Sequence, residues 1–167
     1  METKRLIIDE IKEEDKKDYF DNISHDKKVL QTFICKYAET IDDLDFTKYL
    51  NNKSLFAIRL KESKKLIGII LYFEEKEDSC EIGYGIGSNY WNNGYTTEAT
   101  KEFIDYLFKE KGLNKIYASF FTGNIASKRV MEKCKMTYDH FNEKELVYLD
   151  KERDLTYFSV TREEFYK

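Results

Sequence analysis

The sequence contains no proline, so no helix stop, kink or cis bond can be assigned to one. Its three cysteines (Cys35, Cys80, Cys134) are odd in number and far apart, and two histidines (His25, His140) complete no metal-type spacing with them. This excludes a disulfide framework and a zinc module, and predicts reduced, mostly packed thiols in a cytoplasmic protein with no metal. No apolar run approaches the roughly 20 residues that span a bilayer. Met1 to Asp9 lacks the apolar core and small-residue cleavage site of a signal peptide. Charge of one sign is also missing. Against 32 acidic residues stand 28 basic ones, five of them Arg, for a net charge of -4. A general nucleic-acid coat does not follow from that balance, and neither nucleic acid nor membrane is an expected partner.

What is present is aromatic and apolar. Hydrophobic residues make up 41% and aromatics 16%, with 12 Phe and 13 Tyr, a composition that folds despite its charge. A length of 167 residues without repeats or Gly/Ser linkers predicts one domain over residues 1–167. The pattern predicts a strand at Arg5–Ile11, an amphipathic helix from Lys12 to about Asp26, and a helix over Ile41–Leu50 capped by Thr40. Apolar strands follow at Leu55–Leu60, Leu66–Phe73 and Ser79–Ile86, then a helix over Thr97–Lys111 with Gly112 after it. Lys115–Phe121 reads as a strand, Ile125–Cys134 as a helix, and Phe141–Leu149 and Leu155–Val160 as strands. Thr161 to Glu164 resembles a capping box opening a short last helix. Short-loop neighbours favour antiparallel pairs and a strand-helix-strand passage a parallel one, so the sheet is predicted to be mixed.

Four of the seven glycines, Gly83, Gly85, Gly87 and Gly94, fall in one short stretch together with the only tryptophan, Trp91. That stretch runs from a strand through a loop into a helix. Unpaired N–H groups and the dipole at such a helix start favour an anion, a phosphate above all. A plain tight turn would use glycines too. A dinucleotide fingerprint would need glycine where Ser88 stands, and no Gly-Lys-Ser/Thr follows.

At this point the sequence resembles the GCN5-related N-acetyltransferase (GNAT) superfamily, and within it the ribosomal-protein N-acetyltransferase (RimJ/RimL-like) branch. The family's Gln/Arg-x-x-Gly-x-Gly/Ala loop reads here Trp91-Asn92-Asn93-Gly94-Tyr95-Thr96, with Tyr90-Trp91 before it and Thr97-Glu98-Ala99 after it as in that branch. Asn124 to Lys133 matches a downstream Asn-x-x-Ser block, and Tyr157 to Phe165 the closing strand and helix. Asn93 departs from a common Lys or Arg, Thr96 from Gly or Ala, and Lys135-Met136 from Gly-Phe; Met131 stands where some relatives carry a tyrosine acid.

The resemblance implies an α/β (α+β) acyltransferase fold with a mixed, mostly antiparallel sheet of about seven strands flanked by helices. It implies direct transfer of the acetyl group of acetyl-CoA to a primary amine: a protein N-terminus or a small molecule such as a polyamine or aminoglycoside. Monomer and homodimer are both compatible, and a non-catalytic acyl-CoA-binding or sensor domain is the alternative. The implied pyrophosphate donors are the N–H groups of Asn92 to Thr96. Ile86 and Trp91 lie beside them, and the Tyr84 N–H polarises the thioester. A bulge around Gly85–Gly87 would open the strand for the coenzyme arm. Asn124 suits an N-cap as well as a contact to that arm. Ser127 is the candidate acid, with a first-turn serine as the plain reading, and Lys128 and Arg129 suit either the coenzyme phosphate or a solvated face. Glu81 is the candidate base through a water; a strand glutamate paired with lysine would look the same. Residues 9–26 carry eight acids against three lysines, and residues 39–45 four acids and no base. Such a surface suits a cationic acceptor, although a solvated acidic helix face gives the same pattern.

Overall fold

Runs of apolar residues in this chain become strands wherever the run is short and bounded by polar turns. The computed structural model describes residues 1–167. Strands β1 (Leu6–Glu10), β2 (Leu55–Leu60), β3 (Leu66–Phe73), β4 (Ser79–Ile86), β5 (Lys115–Phe121), β6 (Thr137–Tyr148) and β7 (Lys151–Thr161) form a seven-stranded sheet in the order β1-β2-β3-β4-β5-β7-β6. β4 and β5 run parallel, whereas β1–β2, β2–β3, β5–β7 and β6–β7 are antiparallel. The helices are α1 (Lys16–Tyr19), α2 (Thr47–Leu50), α3 (Tyr95–Glu110), α4 (Ile125–Lys133) and α5 (Arg162–Tyr166). This is the mixed α/β fold that the order of elements predicts. The chain divides into two compact units, Met1–Leu71 with Tyr84–Phe103 and Tyr72–Gly83 with Ile104–Lys167.

In the first unit the helix predicted from Lys12 to about Asp26 is instead three short pieces. These are a 3-10 turn at Glu13–Asp15, then α1, then a π turn at Phe20–Ser24. A buried ion cluster accounts for the break. Arg59, 4% exposed, donates through both terminal nitrogens to Asp15, and through Nε to Asp9 at 2.6 Å. Asp15 also accepts the Lys12 N–H at 2.7 Å, which fixes the first turn before α1 begins. The π turn then puts the Asn22 amide on the Leu66 carbonyl at 2.7 Å. The helix predicted over Ile41–Leu50 is likewise split. Thr40 caps a turn at Ile41–Asp43, but Leu44 goes extended and buries itself with Phe46 before α2 starts. Both side chains join a core with Tyr19, Ile23, Ala57 and Ile69.

β3 carries one extra residue against β2, Ile67, and its carbonyl accepts the Gly87 N–H at 2.9 Å. Next to it, a Cβ on Gly68 would stand 2.5 Å from the Gly85 carbonyl oxygen, so β3 and β4 meet backbone to backbone here.

In the second unit Ile104, Leu107 and Phe108 of α3 are fully buried, as their spacing predicts. Gly112 follows with φ 70°. α4 ends without the usual glycine, yet its closing geometry is kept. Lys135 takes φ 63°, its N–H reaches the Glu132 carbonyl, and the Met136 N–H reaches that of Met131 at 3.0 Å. Buried Met136 replaces the expected aromatic. β6 and β7 are longer than predicted because Leu149 and Asp150, both at positive φ, make a two-residue hairpin turn; Asp150 suits such a turn, but Leu149 does not. The capping box at Thr161 forms as predicted, with Thr161 N–H donating to Glu164 at 2.8 Å. No disulfide joins the three cysteines, and burial pushes the Cys35 and Cys80 thiols up to about 12.

Gly68→Ala is expected to cost about 1–3 kcal/mol, the usual penalty for overpacking, because its nearest obstacle is backbone. Urea denaturation checks this; an unchanged midpoint would mean that β3 yields freely.

Candidate active site

In the first unit, β4 leads through a 3-10 turn at Ser88–Tyr90 into the loop before α3. Asp26 anchors the turn by accepting the Ser88 N–H at 2.8 Å. Burial alone would raise this carboxyl, but the N–H groups of Ser88, Val29 and Lys28 hold it below the ordinary range. The Trp91 indole donates to the Ile86 carbonyl at 2.8 Å, folding the loop back on the strand. Asn92 takes φ 62° and Gly94 φ 77°. The Asn93 amide is spent inside the loop, on the carbonyls of Tyr90 (3.2 Å) and Trp91 (2.9 Å).

Arg5 braces the far side. It donates to the Asn93 carbonyl at 2.9 Å, pairs with Glu98 at 2.7 Å and lies 4.4 Å over the Tyr95 ring. Glu98 also accepts from Thr3 and from the Arg5 N–H, and these bonds outweigh its burial and keep it ionised below the usual glutamate range. The loop therefore reaches α3, 16 residues long, with its backbone held and the space at Gly94 open. A Cβ there would meet only Arg5 Nη2, at 3.5 Å.

On β4, alternation sets Glu81, Gly83, Gly85 and Gly87 on one face and Tyr84 and Ile86 on the other. In the first unit, Phe33 lies against Gly85 and Asn22 against Gly87, each so near that a Cβ would come to about 3 Å. The β4–β5 register covers Ser79 to Ile82, paired with Lys115 to Ala118, and Tyr84 lies two residues beyond it.

In the second unit, the register places Glu81, Ser119, Tyr157 and His140 on one face of the sheet. Glu81 is 8% exposed, and its Oε1 accepts the Ser119 hydroxyl at 2.5 Å. Burial raises its proton affinity and the Ser119 bond lowers it, with Glu74 and Glu145 raising it further; the net direction is upward. Tyr157 is pushed up to about 12, by burial first and then by those glutamates. The His140 ring stacks on Tyr157 at 4.2 Å, and its Nδ1 is 2.7 Å from Asp139. Asp139 is the extra residue of a β6 bulge and also takes Lys115 Nζ and Ser159 Oγ, both at 2.9 Å. Burial opposes ionisation of Asp139, but Lys115, His140 and Ser159 overcome it and bring the carboxyl to about 2.

The profile of the acetyltransferase (GNAT) domain matches residues 5–137. The chain belongs to the GNAT family. The uncharacterized N-acetyltransferase YnaD of Bacillus subtilis (strain 168) is 32% identical over 167 residues, covering 98% of this chain and 97% of its own. An acetyltransferase (GNAT family) from Bacillus anthracis has a crystal structure that superposes with a TM-score of 0.87 at 27% identity, covering 98% of each chain. A spermidine N-acetyltransferase from Vibrio cholerae, solved in complex with CoA and spermine, shares the fold, with a TM-score of 0.81 at 17% identity over 99% of this chain and all of its own. This chain is accordingly an acetyl-CoA-dependent N-acetyltransferase, and the non-catalytic alternative is not favoured.

The remaining residues singled out in the sequence of this acetyltransferase are placed as follows. Tyr95 and Thr96 open α3, half-buried. Asn124 is the N-cap of α4, its Oδ1 accepting the Ser127 N–H at 3.2 Å and its amide donating to Ser127 Oγ at 3.0 Å. Lys128 is 3.7 Å from Glu132 on the α4 surface, and Arg129 is exposed. Met131 is buried, 1% exposed, so it packs the unit rather than serving as a proton carrier. Glu81 pairs with a serine, not with a lysine. Ser119, Tyr157, His140 and Asp139 escaped the sequence reading because only strand register and a bulge assemble them. The acids at residues 9–26 are largely committed within the fold: Asp9 and Asp15 to Arg59, Asp18 to the Leu66 N–H, Asp21 to Lys17 and Asp26 to Ser88.

Gly94→Val is expected to weaken CoA binding about tenfold or more relative to Asn93→Ala. The first forces a β-branched residue to positive φ, whereas the second leaves every loop N–H in place. Isothermal titration of both variants checks it; equal losses would mean that the Asn93 side chain itself meets CoA.

Proposed function

We propose that this acetyltransferase moves the acetyl group of acetyl-CoA to a primary amine by direct attack, as one domain over residues 1–167, within the RimJ/RimL-like branch and in the cytoplasm. The observation that carries the reading is the braced loop at Gly94. Its positive φ and open space fit a backbone cradle for a pyrophosphate, and the positive end of α3 supplies the complementary field. Tyr90-Trp91 and Thr97-Glu98-Ala99 support the branch, and both blocks have structural tasks here, through the Trp91 and Glu98 bonds.

When bound, acetyl-CoA supplies an activated thioester. The chain's own groups supply the rest. The N–H groups of Asn92 to Thr96 hold the pyrophosphate, beside Ile86 and Trp91. The Tyr84 N–H is the fixed donor for carbonyl polarisation. Glu81 removes the amine's proton; a buried carboxyl with raised proton affinity suits a base working near neutral pH. In the second unit Asn124 orients Ser127 as the acid for the departing thiolate, and Lys128 on the same helix is a further contact for a coenzyme phosphate. A polyamine, an aminoglycoside and a protein N-terminus are the acceptor classes, each a cation that must lose a proton. The spermine present with the Vibrio cholerae enzyme supports testing polyamines first.

Acetyl-CoA should raise the melting temperature, because it binds the native chain and not the unfolded one, and NAD and ATP should do so much less. An intact-mass and thiol-release screen with spermidine, kanamycin and an alanine-ended peptide then identifies the acceptor. An equal shift with NAD would overturn the assignment of the loop.

Ser127→Ala should lower kcat by about 100-fold and leave the acetyl-CoA KM nearly unchanged, as loss of a general acid does. An unchanged kcat where chemistry limits the rate would reduce Ser127 to a first-turn serine.

A further inference from the structure

The second unit holds a polar network that acetyl-CoA binding does not account for. Four strands each contribute a member. Glu81 comes from β4, Ser119 from β5, Tyr157 from β7 and His140 from β6, all on one face. The Ser119 hydroxyl donates to Glu81 Oε1 at 2.5 Å, the length of a charge-assisted bond. Ser119 stands opposite Tyr157 in the β5–β7 register. Tyr157 is held from its ring face by His140, stacked at 4.2 Å and 8°. His140 is held in turn by Asp139, itself fixed by Lys115 and Ser159. The order of support runs from a rigid ion pair inward to one buried carboxylate.

We propose that Ser119 is the positioning residue of the base: set on the same sheet face by strand register, it engages Glu81 Oε1, presents Oε2 to the acceptor's proton and sets the pH at which Glu81 becomes a base. The inference rests on the reading of Glu81 as that base. The step moves one proton. An N–H bond of the acceptor ammonium breaks, its electron pair stays on nitrogen, and an O–H bond forms at Oε2, directly or through one water.

The groups that face Glu81 fix the sign. Glu74 and Glu145 are negative and disfavour a third carboxylate, whereas His140, when protonated, favours it. Ser119 is the one neighbour that donates a hydrogen bond to the ionised form. Tyr157, its cross-strand neighbour, is itself kept protonated across the working range. Removing the Ser119 hydroxyl therefore leaves burial and the two glutamates unopposed at close range, and Glu81 holds its proton to higher pH.

The test follows the Glu81 carboxyl carbon by NMR across a pH titration of the full chain, its signal assigned by its absence in Glu81→Gln. Ser119→Ala should move the midpoint upward by about one pH unit. Ser119→Thr, which keeps the hydroxyl, should restore it. Acetyl-CoA binding by each variant reports that the fold is intact. A midpoint unmoved or lowered in Ser119→Ala, or left displaced in Ser119→Thr, would overturn the positioning role. Failure of the base reading shows separately, as a Glu81→Gln enzyme with unchanged kcat.

Discussion

Two backbones without side chains between them set the geometry of the first unit. At Gly68 and Gly85 β3 approaches β4 more closely than a methyl group allows, and the bulge at Ile67 delivers its carbonyl to the Gly87 N–H. The end of β4 is thereby fixed in position and direction. Phe33 can then lie on Gly85 and Asn22 on Gly87, and the loop that follows starts from a defined point. Trp91 and Arg5 fold it from its two sides. A loop that binds an anion through N–H groups must have those groups held before the ligand arrives, since ordering them on binding would cost affinity.

A few charges in this protein are used inward. Arg59 is buried with Asp15 and Asp9, Glu98 is tied to Arg5 and Thr3, and Asp26 is covered by three N–H groups. Removing one partner from such a cluster leaves a buried charge uncompensated, which is why these ties define local structure more sharply than exposed ion pairs do. Asp9, Asp15, Asp18 and Asp26 of the acidic stretch thus have structural tasks, whereas Glu10, Glu13, Glu14 and Asp21 are exposed.

Glu81 and Asp139 share one unit and show opposite behaviour. Asp139 is surrounded by Lys115, Ser159 and His140 and is held near 2, whereas Glu81 has burial and two like charges against it, and the Ser119 hydroxyl and His140 do not outweigh them. Two carboxyl groups have their proton affinities pushed apart, the pattern expected if one is structural and the other is the proposed base. The β6 bulge makes this division possible by turning Asp139 toward Lys115.

The boundaries of β2 to β5, the body of α3, the N-cap at Thr40 and the capping box at Thr161 were legible from residue order alone. Each depends on apolar spacing or on a side chain acting within four residues of itself. The glycine-rich approach to α3 was legible for the same reason, and with it the family. Tertiary structure decided the rest. Residues 12–50 break into short turns because Arg59 claims Asp15 from far along the chain, and Leu44 and Phe46 leave their helix for the core. The Ser119–Tyr157–His140 support of Glu81 exists only once four strands take their registers and β6 gains its extra residue. Local sequence carries the preferences of a segment, but which distant groups meet depends on pairing and burial of the whole sheet, and a shift of one residue in register would turn every one of these side chains to the other face.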